Sequence, residues 1–372
     1  MSRSRNVAFD KAAVVLLTAL ALGCTSERSV EPNGEERSFV YVSLQQDTVV
    51  TIIFDADADT IVDSIRSPEW NDAVRVIADP VNPVFALIPY AADELWLYPA
   101  GRTQPLGCFS FPYSPVAFVH SPDFVIGSRS GCSGTGSTAL YRPPEMSLVF
   151  MDTVGLTWPR ADEERGLIFG LADSCTETGG LLSSKIGAYD YLNRCFVRTW
   201  DIDPDGDGVA NQVWRFELDA PRQRVYVTTD SAGIPSLVCH DVRQDVLIWQ
   251  KPVFAVVGNP RVTPDGSEVW YPEPGGGTQG QRDRTETITI FDSETGTVLT
   301  VMDLKEYRVP GHGPVRPRVI RFLPSGDKAY VLCGFNSPGP LLVVDVRTRS
   351  VTQSFWQDTP RWPYFMDLGP GE

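Results

Sequence analysis

Between Asp201 and Asn211 the chain sets Asp201, Asp203, Asp205 and Asp207 on alternate positions, followed by Gly208, Val209 and Asn211. Carboxylates at this spacing converge on one centre when the backbone curls, Gly208 permits the curl, and hard oxygen donors suit Ca²⁺. Counted from Asp203, the side chains of Asp203, Asp205, Asp207 and Asn211 supply positions one, three, five and nine, with the Val209 carbonyl at seven. Position twelve is Trp214, so a further carboxylate or water must complete the shell. The alternative is an acidic, solvated turn without an ion, in which the four Asp repel one another uncompensated.

Other chemistry is sparse. His120, His240 and His312 are far apart in the chain, the first two in apolar runs where a core or rim histidine is the plain reading. No His cluster for zinc or copper, no CxxCH, no GxSxG and no phosphate-binding Gly loop occurs, and Gly275–Gly277 lie in an insertion with no helix after it. Arg282, Arg284, Arg308, His312 and Arg316 could gather as an anion site, although scattered surface charge accounts for them as well. A net charge of −15 argues against nucleic acid as a partner.

The first residues carry Arg3, Arg5 and Lys11 and then the apolar run Ala12–Gly23, too short to cross a bilayer, which takes roughly 20 residues. That pattern is a secretory signal. Leu20-Ala21-Leu22-Gly23-Cys24 resembles the lipobox of bacterial lipoproteins, with Ala21 where that family usually has Leu. The resemblance implies cleavage before Cys24, a lipid on its thiol, and anchoring to the bacterial envelope. Thr25 in place of Asp favours the outer membrane. The chain therefore divides into a signal peptide (1–23), a lipidated Cys with a flexible tether (24–37) and a folded part (38–372).

Any site must be positioned by a repeated four-stranded unit. In Pro260–Leu304 the strand candidates Arg261–Thr263, Glu268–Tyr271, Thr287–Phe291 and Thr297–Met302 are joined by the tight turn Pro264–Gly266, a long insertion and the tight turn Asp292–Gly296. Third strands ending at Phe54, Tyr98, Tyr141, Tyr189, His240, Phe291 and Val344 recur every ~43 to 53 residues, which makes seven units. A single such sheet cannot bury both faces, so the expected fold is an all-β, seven-bladed β-propeller of four-stranded antiparallel blades. The first unit lacks an innermost strand, and Pro363–Gly369 is expected to supply it, closing the ring. VTPDGSEVWY with ITIFDSETGTVLTVMDL, and FLPSGDKAYV with LLVVDVRTRSV, resemble the YVTN β-propeller repeat family. That resemblance implies an extracytoplasmic bacterial propeller and no one activity.

The long connections fall on one side of such a ring: the loops Gly131–Gly136, Ala172–Ser184, Pro272–Glu286 and Gly334–Pro340, and the inter-blade segments Asp201–Gln212 and Lys305–Pro317. This long-loop face is the expected contact surface for a protein or envelope-polymer ligand. The competing expectation is an enzyme on the same fold, a lactonase-like hydrolase or a cofactor-dependent dehydrogenase, recognisable by His, Glu and Arg converging on the central channel. Beyond Cys24, six cysteines remain: Cys108, Cys132, Cys175, Cys195, Cys239 and Cys333. Cys132 and Cys175 fall in equivalent loops, a Cys175–Cys195 bridge would span opposite ends of a blade, and Cys239 and Cys333 read as buried thiols.

Overall fold

A computed structural model describes residues 37–370 apart from 46–48, 68–73, 90–91, 113–115, 121–122, 130–136, 144, 154, 176–180, 204–211, 232, 274–285, 335–337 and 357–361. Cys24, Asp205, Asp207, Val209, Asn211 and Cys132 lie outside the described residues. The described strands form seven antiparallel sheets of four strands each, arranged as the blades of a propeller.

Six blades are continuous in sequence. The first is not: its order runs from the C-terminal strand Trp362–Pro370 through Ser38–Gln45 and Val49–Asp55 to Thr60–Ser67. Ser38 faces Pro370 and Gln45 faces Trp362, so the last strand of the chain pairs along the whole of the first. This closure gives the inner edge of Ser38–Gln45 a hydrogen-bonding partner and ties the two ends of the domain together.

Second strands are apolar on both faces because each packs against two neighbouring blades. In the first blade Phe39 and Tyr41 join Val74 and Phe85 of the second, whereas Val40 and Val42 join Val319 and Tyr330 of the seventh. Strand side chains alternate between faces, so an unbroken apolar run is what this position requires. The same division repeats around the ring, with one buried cluster at each of the seven blade junctions. Fully burying one such side chain contributes about 1.5–3 kcal/mol.

The Asp that closes most third strands has a local task. Asp55 Oδ1 accepts the backbone N–H groups of Asp57 and Ala58, and Asp241 and Asp292 do the same for the two turn residues after their neighbours. The turn then needs a positive φ, found at Asp59, Asp245 and Gly296.

Two expectations change. The innermost strand of the fourth blade, Leu156–Asp162, was not legible as a strand, because Trp158-Pro159 interrupts the apolar pattern and the strand bulges between Thr157 and Arg160. The expected loop Ala172–Ser184 is mostly sheet: Leu167–Cys175 pairs with Leu181–Asp190, which satisfies backbone groups that a loop would leave to solvent. Cys175 thus ends a strand. It faces Leu181 while Cys195 faces Asp190 at the far end of that strand, consistent with the two being unbridgeable. Cys239 and Cys333 are buried free thiols, and burial pushes the Cys239 thiol up to about 12.

Candidate functional site: the charged central channel

The innermost strands of the seven blades line the channel, and their register sets side chains in layers. Asp367, Arg160, Glu217, Arg261 and Arg321 pair with Tyr41, Phe169, Tyr226, Trp270 and Tyr330, the same rung of five blades. Each of these five blades presents one such side chain to the channel, and they form two bonded groups across blade boundaries. Glu217 Oε2 accepts from Arg160 Nε at 3.3 Å and from Arg261 at 2.6 Å, joining blades four, five and six. Arg321 Nε donates to Asp367 Oδ1 at 2.5 Å, and Asp367 Oδ2 accepts the Ala78 N–H at 3.0 Å, joining blades seven, one and two.

Three guanidiniums thus share two carboxylates, and the electrostatics shows the surplus. Burial and then the neighbouring Arg261 bring Arg160 down to about 10, and the same two causes lower Arg321. Burial works against the charge of Glu217, but Arg261 and Arg160 outweigh it and hold the carboxyl below its usual range. Deep as they are, Arg160 and Arg321 keep 31% and 22% of their side-chain surface accessible, because they face a lumen.

One layer nearer the long-loop face, Trp158 is bulged into the channel with φ of 59°, a backbone conformation that costs a bulky side chain about 1–3 kcal/mol. Arg75 lies 4.6 Å and Arg215 5.0 Å from its ring centroid, and Arg75 is also 5.4 Å from that of Phe365. Cation–π contacts of this kind contribute about 0.5–2 kcal/mol each and hold blades one, two, four and five to a common centre. At the opposite, tight-turn end, His120 of the third blade bridges Asp79 of the second (2.6 Å) and Glu163 of the fourth (2.8 Å). Attraction to both carboxylates outweighs burial and raises the His120 pKa. His240 is different: burial lowers its pKa despite Asp245 at 3.1 Å.

The residues singled out by spacing fare unevenly. Asp201 is exposed and pairs with Lys185 Nζ at 3.0 Å, while Asp203 is half-buried. The other members of the acidic loop are outside the described residues, as are Arg282 and Arg284. Arg308, one of the cations considered for an anion site, already has a carboxylate partner. It forks onto the buried Glu286, whose Oε2 also accepts the Val315 N–H at 2.8 Å. Among the described residues no His, Cys, Asp and Glu group has the arrangement of a metal site.

Spacing could not reveal the channel cluster, since its members are scattered from Arg75 to Asp367. Laying the inner strands over one another at their first tight turn would have aligned Arg160, Glu217, Arg261 and Arg321.

Fold and channel define a seven-bladed β-propeller, and solved structures agree. The chain is similar to a functionally unknown protein from Desulfotomaculum acetoxidans (TM-score 0.57, 13% identity, 85% of this chain and 94% of that one). It is also similar to the Cps50 (Swd1) β-propeller domain of Myceliophteria thermophila (0.57, 11%, 80% and 88%). A third is the dihydro-heme d1 dehydrogenase NirN (0.56, 12%, 88% and 74%). At such identities the likeness is one of fold alone. No family model and no curated protein matches the chain.

Proposed function

We propose that this chain is a lipid-anchored β-propeller of the bacterial envelope that serves as a rigid binding or scaffolding platform, with its long-loop face turned to a protein or envelope polymer. The observation that carries this reading is the locking of the channel. Where a propeller enzyme would keep reactive groups open to substrate, Glu217 is shared by two guanidiniums and both ring nitrogens of His120 are held by carboxylates. Interlocked pairs of this kind fix blade positions and leave little freedom for proton transfer. On the long-loop face, Phe254 and Val257 between the fifth and sixth blades are exposed, at 57% and 38%. Exposed aromatic side chains are enriched in contact surfaces. The anchor rests on the Leu20–Cys24 motif.

Two measurements test this. In a bacterium fed labelled fatty acid, the wild-type chain is expected to take up label and sediment with membranes, and Cys24→Ser to do neither; label retained by the variant would overturn the anchor. A photoreactive phenylalanine at Phe254 is expected to give a discrete cross-linked adduct in cells, and the same group at Ser325 on the tight-turn side none. Adducts from Ser325 alone would move the contact surface to the other face.

A further inference from the structure

Between the fifth, sixth and seventh blades a pocket of about 340 Å³ opens on the tight-turn side, away from the long loops. Its floor is the charged channel rung, with Glu217, Arg261 and Arg321 in the lining. Its walls are mixed: Val262 and Phe322 offer apolar surface, and Asp219 and Arg222 form an ion pair at 3.3 Å on one side. Pockets of this volume with a few convergent polar groups are of the size that holds a small ligand.

The charges specify which ligand. Glu217 accepts from both Arg160 and Arg261, and Asp367 from Arg321, so three guanidiniums share two carboxylates and the rung carries one positive charge in excess. Burial, and after it the like charge of Arg261, weakens the hold of Arg160 and Arg321 on their protons. Arg261 Nε is buried and finds no acceptor among the described residues, although its side chain is only 13% exposed. A buried donor without an acceptor is destabilising, and so are clustered like charges. One anion placed between Arg261 and Arg321 offsets that repulsion.

We propose that this pocket binds a small organic oxyanion, a carboxylate or a phosphate monoester, through the guanidiniums of Arg261 and Arg321, with its apolar body against Val262 and Phe322. Guanidinium forks match the paired oxygens of either group, and a neutral molecule of the same shape gains nothing from them. The surrounding chain is strongly acidic, so the site selects anions by local geometry against the overall field. This site lies on the other side of the ring from the platform surface, and its existence does not depend on that reading.

The test is calorimetric titration of the full folded chain at low ionic strength with benzoate, phenyl phosphate, inorganic phosphate and benzamide. Benzoate or phenyl phosphate is expected to bind with Kd below about 1 mM, weakening as salt is added, and benzamide not to bind. Comparing benzoate with phenyl phosphate separates the two acid classes, and inorganic phosphate shows whether the apolar body is needed. Arg261→Met is expected to weaken binding about tenfold or more, with Arg261→Lys intermediate. Equal binding of benzamide and benzoate, or no binding of any acid, overturns the proposal on the wild-type chain alone, whether or not the variants fold. Unchanged affinity in a folded Arg261→Met variant places the anion elsewhere and overturns it too.

Discussion

His120 joins three blades through one imidazole, which links its protonation to stability. The charged groups facing it are Asp79 on the second blade and Glu163 on the fourth. Because its folded pKa is raised, the contact is fully present below the unfolded value of about 6.5 and is lost as pH rises through the raised folded value. His120→Gln should therefore melt earlier than wild type at pH 5.5, by about 2 kcal/mol of stability, with the gap narrowing at pH 8.5. Equal gaps at both pH values would mean that the ring is neutral and merely fills space. Arg160 and Arg321 illustrate a different residue-scale effect, in which burial and then the like charge of Arg261 lower proton affinity against the pull of Glu217 and Asp367.

Among the strands, Trp362–Pro370 carries more of the architecture than its length suggests. It brings Met366 to the junction of the first and seventh blades, Asp367 to the channel rung and Phe365 to the Arg75 contact. Deleting residues 362–370 leaves Ser38–Gln45 as an open edge in an otherwise closed ring. The expected outcome is loss of cooperative melting by circular dichroism and oligomers on size exclusion. Met366→Ala, a milder change at a side chain 2% exposed, should cost about 2–4 kcal/mol while leaving the ring closed. A deletion variant that melted like wild type would show that closure by this strand is dispensable. The bulged strand Leu156–Asp162 is the counterpart inside the channel: its Trp158 is held at a positive φ by neighbours from other blades, not by local preference.

For the molecule as a whole, negative charge is concentrated in the acidic connection between the fourth and fifth blades. Asp203 is half-buried at its start and Asp201 pairs with Lys185, and the calcium shell proposed from the spacing draws on Asp201, Asp203, Asp205, Asp207, Asn211 and the Val209 carbonyl. Calcium there would tie two blades together and offset part of the negative charge of the chain. An ion that binds only the folded state stabilises it by about 2.7 kcal/mol at a hundredfold excess over Kd. A chelator should then lower the melting temperature, and Asp205→Ala should lower it in calcium and abolish most of the chelator effect. Identical melting curves with calcium and with chelator would leave an ordinary acidic turn.

Much of the architecture was readable in the chain because its causes are local or periodic. Second strands pack between two blades, so they are apolar on both faces; third strands end in an Asp because the turn after them needs an acceptor for its own N–H groups. Both signals recur at the blade period, and counting them was enough to expect seven blades and a C-terminal closing strand. The inner strands were harder to read, since one side of each faces a channel and tolerates Trp158, Pro159 or Arg160 as readily as Val. The channel itself was decided by tertiary structure alone. Arg160, Glu217, Arg261, Arg321 and Asp367 become neighbours only when the ring closes and the registers of five blades bring one rung to a common axis. No spacing along the chain encodes that meeting, because each blade can lengthen its loops without moving the side chain it presents to the centre.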